Sequence, residues 1–187
     1  GRLSAQQEKA SLTPLTVVIG RNGVGKSTLF DAFGFVADCL ATDVETACDM
    51  KQRGGFERLR SVGSDQAIRF EIYYREASNE RPISYELAIN LDKAGRPYVE
   101  QEILRQRRKR QTHGRPFPFL RLNQGQGRVW AGQENVEPED EEDNSSETVE
   151  LNDPRQLGIA TLHTLKKHPG IQQFRDFLKG WYLSYFT

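Results

Sequence analysis

Residues 20 to 28 read GRNGVGKST and follow the apolar run LTVVI. Glycines at 20 and 25, then lysine and serine at 26 and 27, match the spacing G-x-x-x-x-G-K-[ST]. Phosphate oxygens need several backbone N–H groups aimed at one point, and Gly20, Gly23 and Gly25 let the chain take the necessary torsions with no side chain in the way. Lys26 would then reach the β- and γ-phosphates, and the Ser27 hydroxyl would complete the shell of a Mg²⁺ ion. The expected ligand is ATP with Mg²⁺. Its expected contacts run through Gly20, Arg21, Asn22, Gly23, Val24 and Gly25 to Lys26, Ser27 and Thr28, with Ser27 on the metal.

A phosphate cradle works only between a strand and a helix, and the flanking residues supply both. Leu15–Ile19, bounded by Pro14 and Gly20, reads as a buried strand of a mostly parallel sheet. From Ser27 to Leu40 the apolar residues Phe30, Phe33, Val36, Ala37 and Leu40 mark one helical face. Leu29, Ala32, Phe35 and Cys39 cover much of the rest, so this helix should be nearly enclosed. Thr42 and Glu45 have capping-box spacing for a short second helix through about Met50, which Gly54 and Gly55 break. The period then changes to two. Ile68, Phe70, Ile72 and Tyr74, and later Ile83, Tyr85, Leu87, Ile89 and Leu91, alternate with other residues as half-buried antiparallel strands do. PYVEQEILR offers a third strand, and Phe117 to Trp130 a further hairpin turning at NQGQG. Leu157–Lys167 and Ile171–Leu178 read as two amphipathic helices separated by Pro169 and Gly170, and WYLSYF as another buried strand.

At 187 residues, with 36% hydrophobic and 28% charged residues, the chain fits one domain and contains no run of the roughly eighteen apolar residues that a membrane span needs. No secretory h-region is visible, and two cysteines do not make a disulfide framework, so a cytoplasmic protein with reduced thiols is expected. The three histidines form no metal-ligand spacing. The formal net charge of zero hides a segregation. RQRRKRQ, Arg105 to Gln111, is basic and reads as a solvated hairpin tip, with a nucleic-acid backbone contact or a localisation signal as alternatives. Glu134 to Glu147 is acidic and reads as a solvated loop.

The loop carries finer information. GRNGVGKST resembles the G-x-N-G-x-G-K-S-T form of the Walker A motif used by ABC-type ATPase heads, and LFDAFGFV with RGGFERLRS looks like the SMC, RecF and OLD branch, including bacterial AAA-type ATPases with ABC-like heads. That resemblance implies a P-loop NTPase of mixed α/β class: an ABC/SMC-like first lobe with a P-loop sheet around a central helix plus an antiparallel β-meander. It implies a single incomplete head over 1–187, with a P-loop subregion 12–60, an antiparallel β subregion 64–132, an acidic loop 133–150, and a helical pair and strand over 153–187. It makes Arg53, in the R-G-G phrase, a candidate sensor close to the nucleotide. It also implies an ATP-dependent homodimer of complete heads acting on DNA or in phage defence, with no membrane contact.

Hydrolysis by such a head needs an apolar strand ending in Asp-Glu and a segment like L-S-G-G, and the sequence supplies neither in that context. The carboxylates of the acidic run have no apolar strand before them, Glu71 is interior to an alternating strand, and Gln156 stands before a helix instead of after a strand. The chain is therefore expected to be an N-terminal lobe that binds ATP but does not turn it over alone, its other half carrying the Walker B and signature segments. The polar N-terminus departs from the strand-opening phrase of such heads. A nucleotide-dependent scaffold with little turnover is the competing expectation. A small-molecule kinase is a third, against which the meander weighs.

Overall fold

The computed structural model describes residues 19, 21, 26–60, 63–75, 81–107, 111, 113–130, 146–162 and 169–181. The helical expectation after the glycine-rich loop is met by α1, Lys26–Ala41. Six strands follow: β1 Ile68–Tyr74, β2 Ile83–Leu91, β3 Pro97–Gln106, β4 Phe117–Asn123, β5 Gln126–Trp130 and β6 Ser146–Glu150. They form one sheet whose spatial order equals their sequence order, each pair antiparallel. The β4–β5 turn sits where NQGQG places it. Gln124 and Gly125 both have positive φ, 51° and 78°, the torsions that match a two-residue hairpin turn to the right-handed twist of its strands.

One sheet face meets the helices. Tyr85, Leu87 and Ile89 of β2, Leu104 of β3, Leu120 and Leu122 of β4 and Val129 of β5 are all buried there. They pack with Phe35, Val36, Cys39 and Leu40 of α1 and with Ile171, Phe174 and Leu178 of α5, Pro169–Lys179. The spacing of those three α5 residues is one helical stripe, and its polar side carries the Gln172–Asp176 hydrogen bonds. The Phe174 ring lies 5.0 Å from Tyr85, and Phe35 stacks 5.7 Å from Phe70 of β1.

Several boundaries differ from the sequence expectation. The second helix, α2 Val44–Asp49, is capped by Asp43 and not by Thr42: the Asp43 carboxylate accepts from the Thr46 N–H and hydroxyl, both at 2.8 Å. Glu45, assigned to a capping box, accepts instead from Arg155 at 2.7 Å. The acidic stretch does not remain loop to its end, because Ser146–Glu150 pairs along β5; backbone pairing to an existing edge offsets the poor strand propensity of its acids. The helix expected from Leu157 is the single turn α4, Gly158–Thr161, with Leu162 already extended. Pro169 and Gly170 open α5 instead of separating two helices, since proline is tolerated in a first turn. Every described strand is antiparallel. Of the expected parallel strand only Ile19 is described, and it is 89% exposed instead of buried and belongs to none of the six described strands. Residues 182–187, where a last strand was expected, lie outside the described residues.

One buried polar cluster sits inside this core. Glu102 of β3 is paired in register with Leu87 and Leu122, so it occupies an inward position, and it is 0% exposed. It accepts from the Tyr85 hydroxyl at 3.0 Å and from the backbone N–H groups of Gly158 and Ile159 at 2.5 and 3.2 Å. The carboxylate thus satisfies the opening N–H groups of α4 from across the sheet. Burial pushes its pKa up to about 7, against the pull of those three hydrogen bonds.

Candidate nucleotide site

Of the expected phosphate-binding residues, Lys26, Ser27 and Thr28 form the first turn of α1, Lys26–Ala41. Gly20, Asn22, Gly23, Val24 and Gly25 lie outside the described residues, while Arg21, Lys26, Ser27 and Thr28 lie within them. The Lys26 ammonium donates to the Arg21 carbonyl at 2.8 Å, so the two flanks of the loop are tied together by the charge expected to meet phosphate. Ser27 is exposed at the first turn. No acidic residue stands in that turn, so no charge within it offsets the positive end of the 16-residue helix. These features fit Mg-ATP: Lys26 would hold phosphate oxygens, and the Ser27 hydroxyl would hold the metal. The bound Mg²⁺ supplies charge neutralisation between phosphates.

Arg53 is placed differently from the other expected contacts. Its side chain is 2% exposed and committed to α1. Nε donates to both Asp31 oxygens at 3.1 Å, Nη2 to Asp31 Oδ1 at 2.9 Å and Nη1 to the Ala47 carbonyl at 2.9 Å. Nη1 also pairs with Asp38 Oδ2 at 2.7 Å, and the guanidinium carbon lies 5.4 Å from the centre of the Phe35 ring. Burial works against the charge, but the bonds to Asp31 and Asp38 outweigh it and hold Arg53 above its ordinary pKa. Lys51 adds a second cation on Asp38, at 3.0 Å. Both cations run past Gly34 between the two aspartates, where a Cβ would make ordinary contact, 3.7 Å from Arg53 Nη2 and 3.9 Å from Lys51 Nζ.

The segment that delivers Arg53 is strained. Lys51 and Gln52 have φ of 52° and 61°, and Gly54 and Gly55 have φ of 76° and 90°. The left-handed region costs a non-glycine residue roughly 1–2 kcal/mol, and such torsions persist only where surrounding contacts over-determine them. Here the ion pairs to Asp31 and Asp38 provide those contacts. Asp31 and Asp38 were not singled out from sequence. Their signal is the seven-residue spacing with Gly34 between, which marks a polar stripe on an otherwise apolar helix.

Other residues weighed from sequence lie away from this cluster. Glu71 is exposed and accepts from Tyr73, its strand neighbour two residues on, while its neighbour Phe70 is the β1 residue that meets α1. Gln156 precedes α4, its N–H bonded to the Asp153 carbonyl. Cys39 and Cys48 are buried free thiols, the second pushed up to about 12 by burial and by Asp49. Among the described residues no cluster of three or more His, Cys, Asp or Glu could hold a metal ion. Among them, too, no helix is long and apolar enough to cross a membrane.

A family model described as "AAA domain, putative AbiEii toxin, Type IV TA system" matches residues 15–168, most of the chain. The chain belongs to this AAA-domain family. The AAA domain is thus a P-loop ATPase domain, of mixed helix and antiparallel sheet, and the matched span begins at the start of the expected P-loop strand. Nucleotide use follows at that level. No curated protein and no solved structure matches the chain.

Proposed function

We propose that this AAA domain binds Mg-ATP through Gly20–Thr28 and serves as the nucleotide-binding lobe of an ABC/SMC-like ATPase. The observation that carries the reading is the placement of Lys26 and Ser27 in the first turn of α1, which holds no acid, with the Lys26 ammonium bonded to the Arg21 carbonyl. On binding, the ammonium exchanges the Arg21 carbonyl for phosphate oxygens, and the helix end contributes its fixed partial charge without reorganisation. Turnover requires a carboxylate that orients water, and in this reading the Walker B and signature segments come from the other half of the head, which also lets complete heads dimerise around ATP. Ile19, apolar and 89% exposed beside the loop, is the kind of surface that such a half covers.

Calorimetric titration with Mg-ATP tests the site. Lys26→Ala should weaken binding by about 1.5–3 kcal/mol, the range for hydrogen bonds to charged groups, or roughly tenfold to hundredfold. Equal affinity in both proteins removes the loop from the site. A scaffold that binds ATP with little turnover is distinguished by phosphate release once the other half is present.

We assign the activity to DNA transactions or phage defence, on one further observation. The β1–β2 and β3–β4 connections leave the sheet at the same end, where Tyr74, Ile83, Gln106 and Phe117 lie side by side in register. That end gathers Arg75, Arg81, Arg107 and Arg115, and Arg81 Nη1 donates to the Arg107 carbonyl at 2.8 Å. A phosphate backbone suits such a cluster. Binding to duplex DNA should then fall with salt at a log-log slope near −0.9 per phosphate neutralised, and a flat dependence refutes the contact.

A further inference from the structure

We infer that Arg53 is a positioning residue for the nucleotide that acts through Asp31: it neutralises a carboxylate which would otherwise repel the phosphates. This rests on the nucleotide reading above. Asp31 lies four residues after Ser27, hence on the same helical face and about 6 Å further along the axis. An anion at the N-terminus of α1 therefore sits about 10 Å from the Asp31 carboxylate. Asp31 is one-quarter exposed, and the cation bonded to it is Arg53, through three hydrogen bonds. Asp38, three turns down from the site, has both Arg53 and Lys51. The bidentate end of the guanidinium is thus spent on the aspartate nearer the phosphates.

The strained backbone argues in the same direction. Lys51 and Gln52 adopt left-handed torsions on either side of no glycine, and the Gly54–Gly55 pair turns the chain away directly after Arg53. A loop needed only to connect α2 with α3, Phe56–Leu59, has easier routes; this one drives a guanidinium into the flank of the phosphate-binding helix. A further consequence separates charge from architecture. If the pair were only a staple, weakening either partner would loosen α1 and weaken nucleotide binding. If neutralisation is the role, the two partners have opposite signs: removing the arginine hurts phosphate binding, and removing the aspartate charge helps it.

The magnitude follows from Coulomb's law. One unit charge about 10 Å from another, at an effective dielectric between about 20 and 40, shifts an equilibrium by roughly fourfold to fifteenfold, and screening at physiological salt trims this to about twofold to tenfold. The test measures Mg-ATP, Mg-ADP and AMP affinities for the wild-type chain, Asp31→Asn, Arg53→Met, the double variant and Lys26→Ala. Asp31→Asn keeps the shape and one acceptor oxygen for Arg53, and affinities are compared at a temperature where thermal unfolding shows each variant folded. It should bind ATP about twofold to tenfold more tightly, with a smaller gain for ADP, the least for AMP, and all gains shrinking with salt. Arg53→Met should weaken ATP binding, and the double variant should return towards wild type. If Arg53→Met does not fold, the sign for Asp31→Asn decides alone. Unchanged or weaker ATP binding by Asp31→Asn, in a protein whose ATP binding is lost with Lys26→Ala, overturns the inference and leaves the nucleotide site standing. ATP affinity untouched by Lys26→Ala overturns both.

Discussion

Raising the pH from about 4.5 to 7 should destabilise the protein through Glu102. The carboxyl is fully buried on β3, accepts three hydrogen bonds, and has no cation among the groups that shift it. Its pKa is raised from 4.5 to about 7. The native state therefore holds this proton to higher pH than the unfolded chain does. The group's contribution to stability is full below the unfolded value, is lost progressively as pH rises through the window up to the folded value, and is flat above it. A shift of this size corresponds to roughly 3 kcal/mol at 1.36 kcal/mol per pH unit. Other carboxylates titrate in the same window, so the assay compares wild type with Glu102→Gln. Gln does not titrate and keeps an acceptor for the Gly158 N–H, while the Tyr85 oxygen can accept from its amide; the bond lost at Ile159 is independent of pH and cancels when the difference is followed across pH. Urea unfolding at a series of pH values should show the stability difference moving by roughly 3 kcal/mol in favour of the Gln variant between pH 4.5 and 7.5. A difference constant across that range means that Glu102 does not titrate there, and the argument from its burial fails.

Other expectations follow from named contacts. Gly158→Ala places a Cβ against Leu122 Cδ1 and 3.0 Å from Glu102 Oε2, so denaturation midpoints should fall by the equivalent of about 1–3 kcal/mol, the usual cost of overpacking; a neutral result shows that Leu122 can move aside. Asp43→Ala removes the α2 cap and should cost about 1 kcal/mol, whereas Thr42→Val should not lower stability through that helix; a loss with Thr42→Val as large as with Asp43→Ala would refute the cap. Replacing 134–145 with a Gly-Ser linker should stay within about 0.5 kcal/mol, provided that β6 is kept; a large drop in thermal midpoint would show that these acids are held by something. The isolated chain with Mg-ATP should release phosphate close to background, since each missing positioning or electrostatic element is worth roughly a hundredfold to a thousandfold in rate. Robust release abolished by Lys26→Ala would mean that a carboxylate of this chain orients the water, Glu71 being the first to substitute.

The elements legible in sequence were those with one strong period. α1 reads from the loop that precedes it, and β1, β2 and β3 read from alternation, because a strand packed on one face must alternate. β6 was hidden, since SETVE has one apolar residue and its strand state comes from β5 beside it. α4 was overextended for a related reason: Leu157 and Ile159 look like the start of an amphipathic helix, yet they are fixed by the tertiary cap that Glu102 provides and not by propensity. In the candidate site, Lys26 and Ser27 were legible because the cradle is local. Arg53 could be noticed but not placed, because its partners Asp31 and Asp38 lie 22 and 15 residues earlier in sequence and only folding brings them together. Glu102 was hidden, because the alternation of Val99, Gln101 and Ile103 puts it on the outward parity, and only the bulge opposite Ala88 and Ile89 turns it inward between Leu87 and Leu122.

Because the strand order of the sheet is its sequence order, each strand finds its partner in the segment made just before it. From β1 to β5 such a sheet closes only short loops as it assembles, which favours zipping from hairpin to hairpin, and the longer connection 131–145 is closed only when β6 adds to the edge. The helices obey a different calendar. α1 and α2 are synthesised first, but Val44 bonds to Arg155, Glu45 to the same arginine, and the aromatic cover of the core comes from Phe174 and Trp181 near the other end. The helix that would carry the phosphate cradle is thus among the earliest segments made and the last to be enclosed. Its apolar surface, Phe35, Val36, Cys39 and Leu40, has no complete home until the chain has run through the meander and returned.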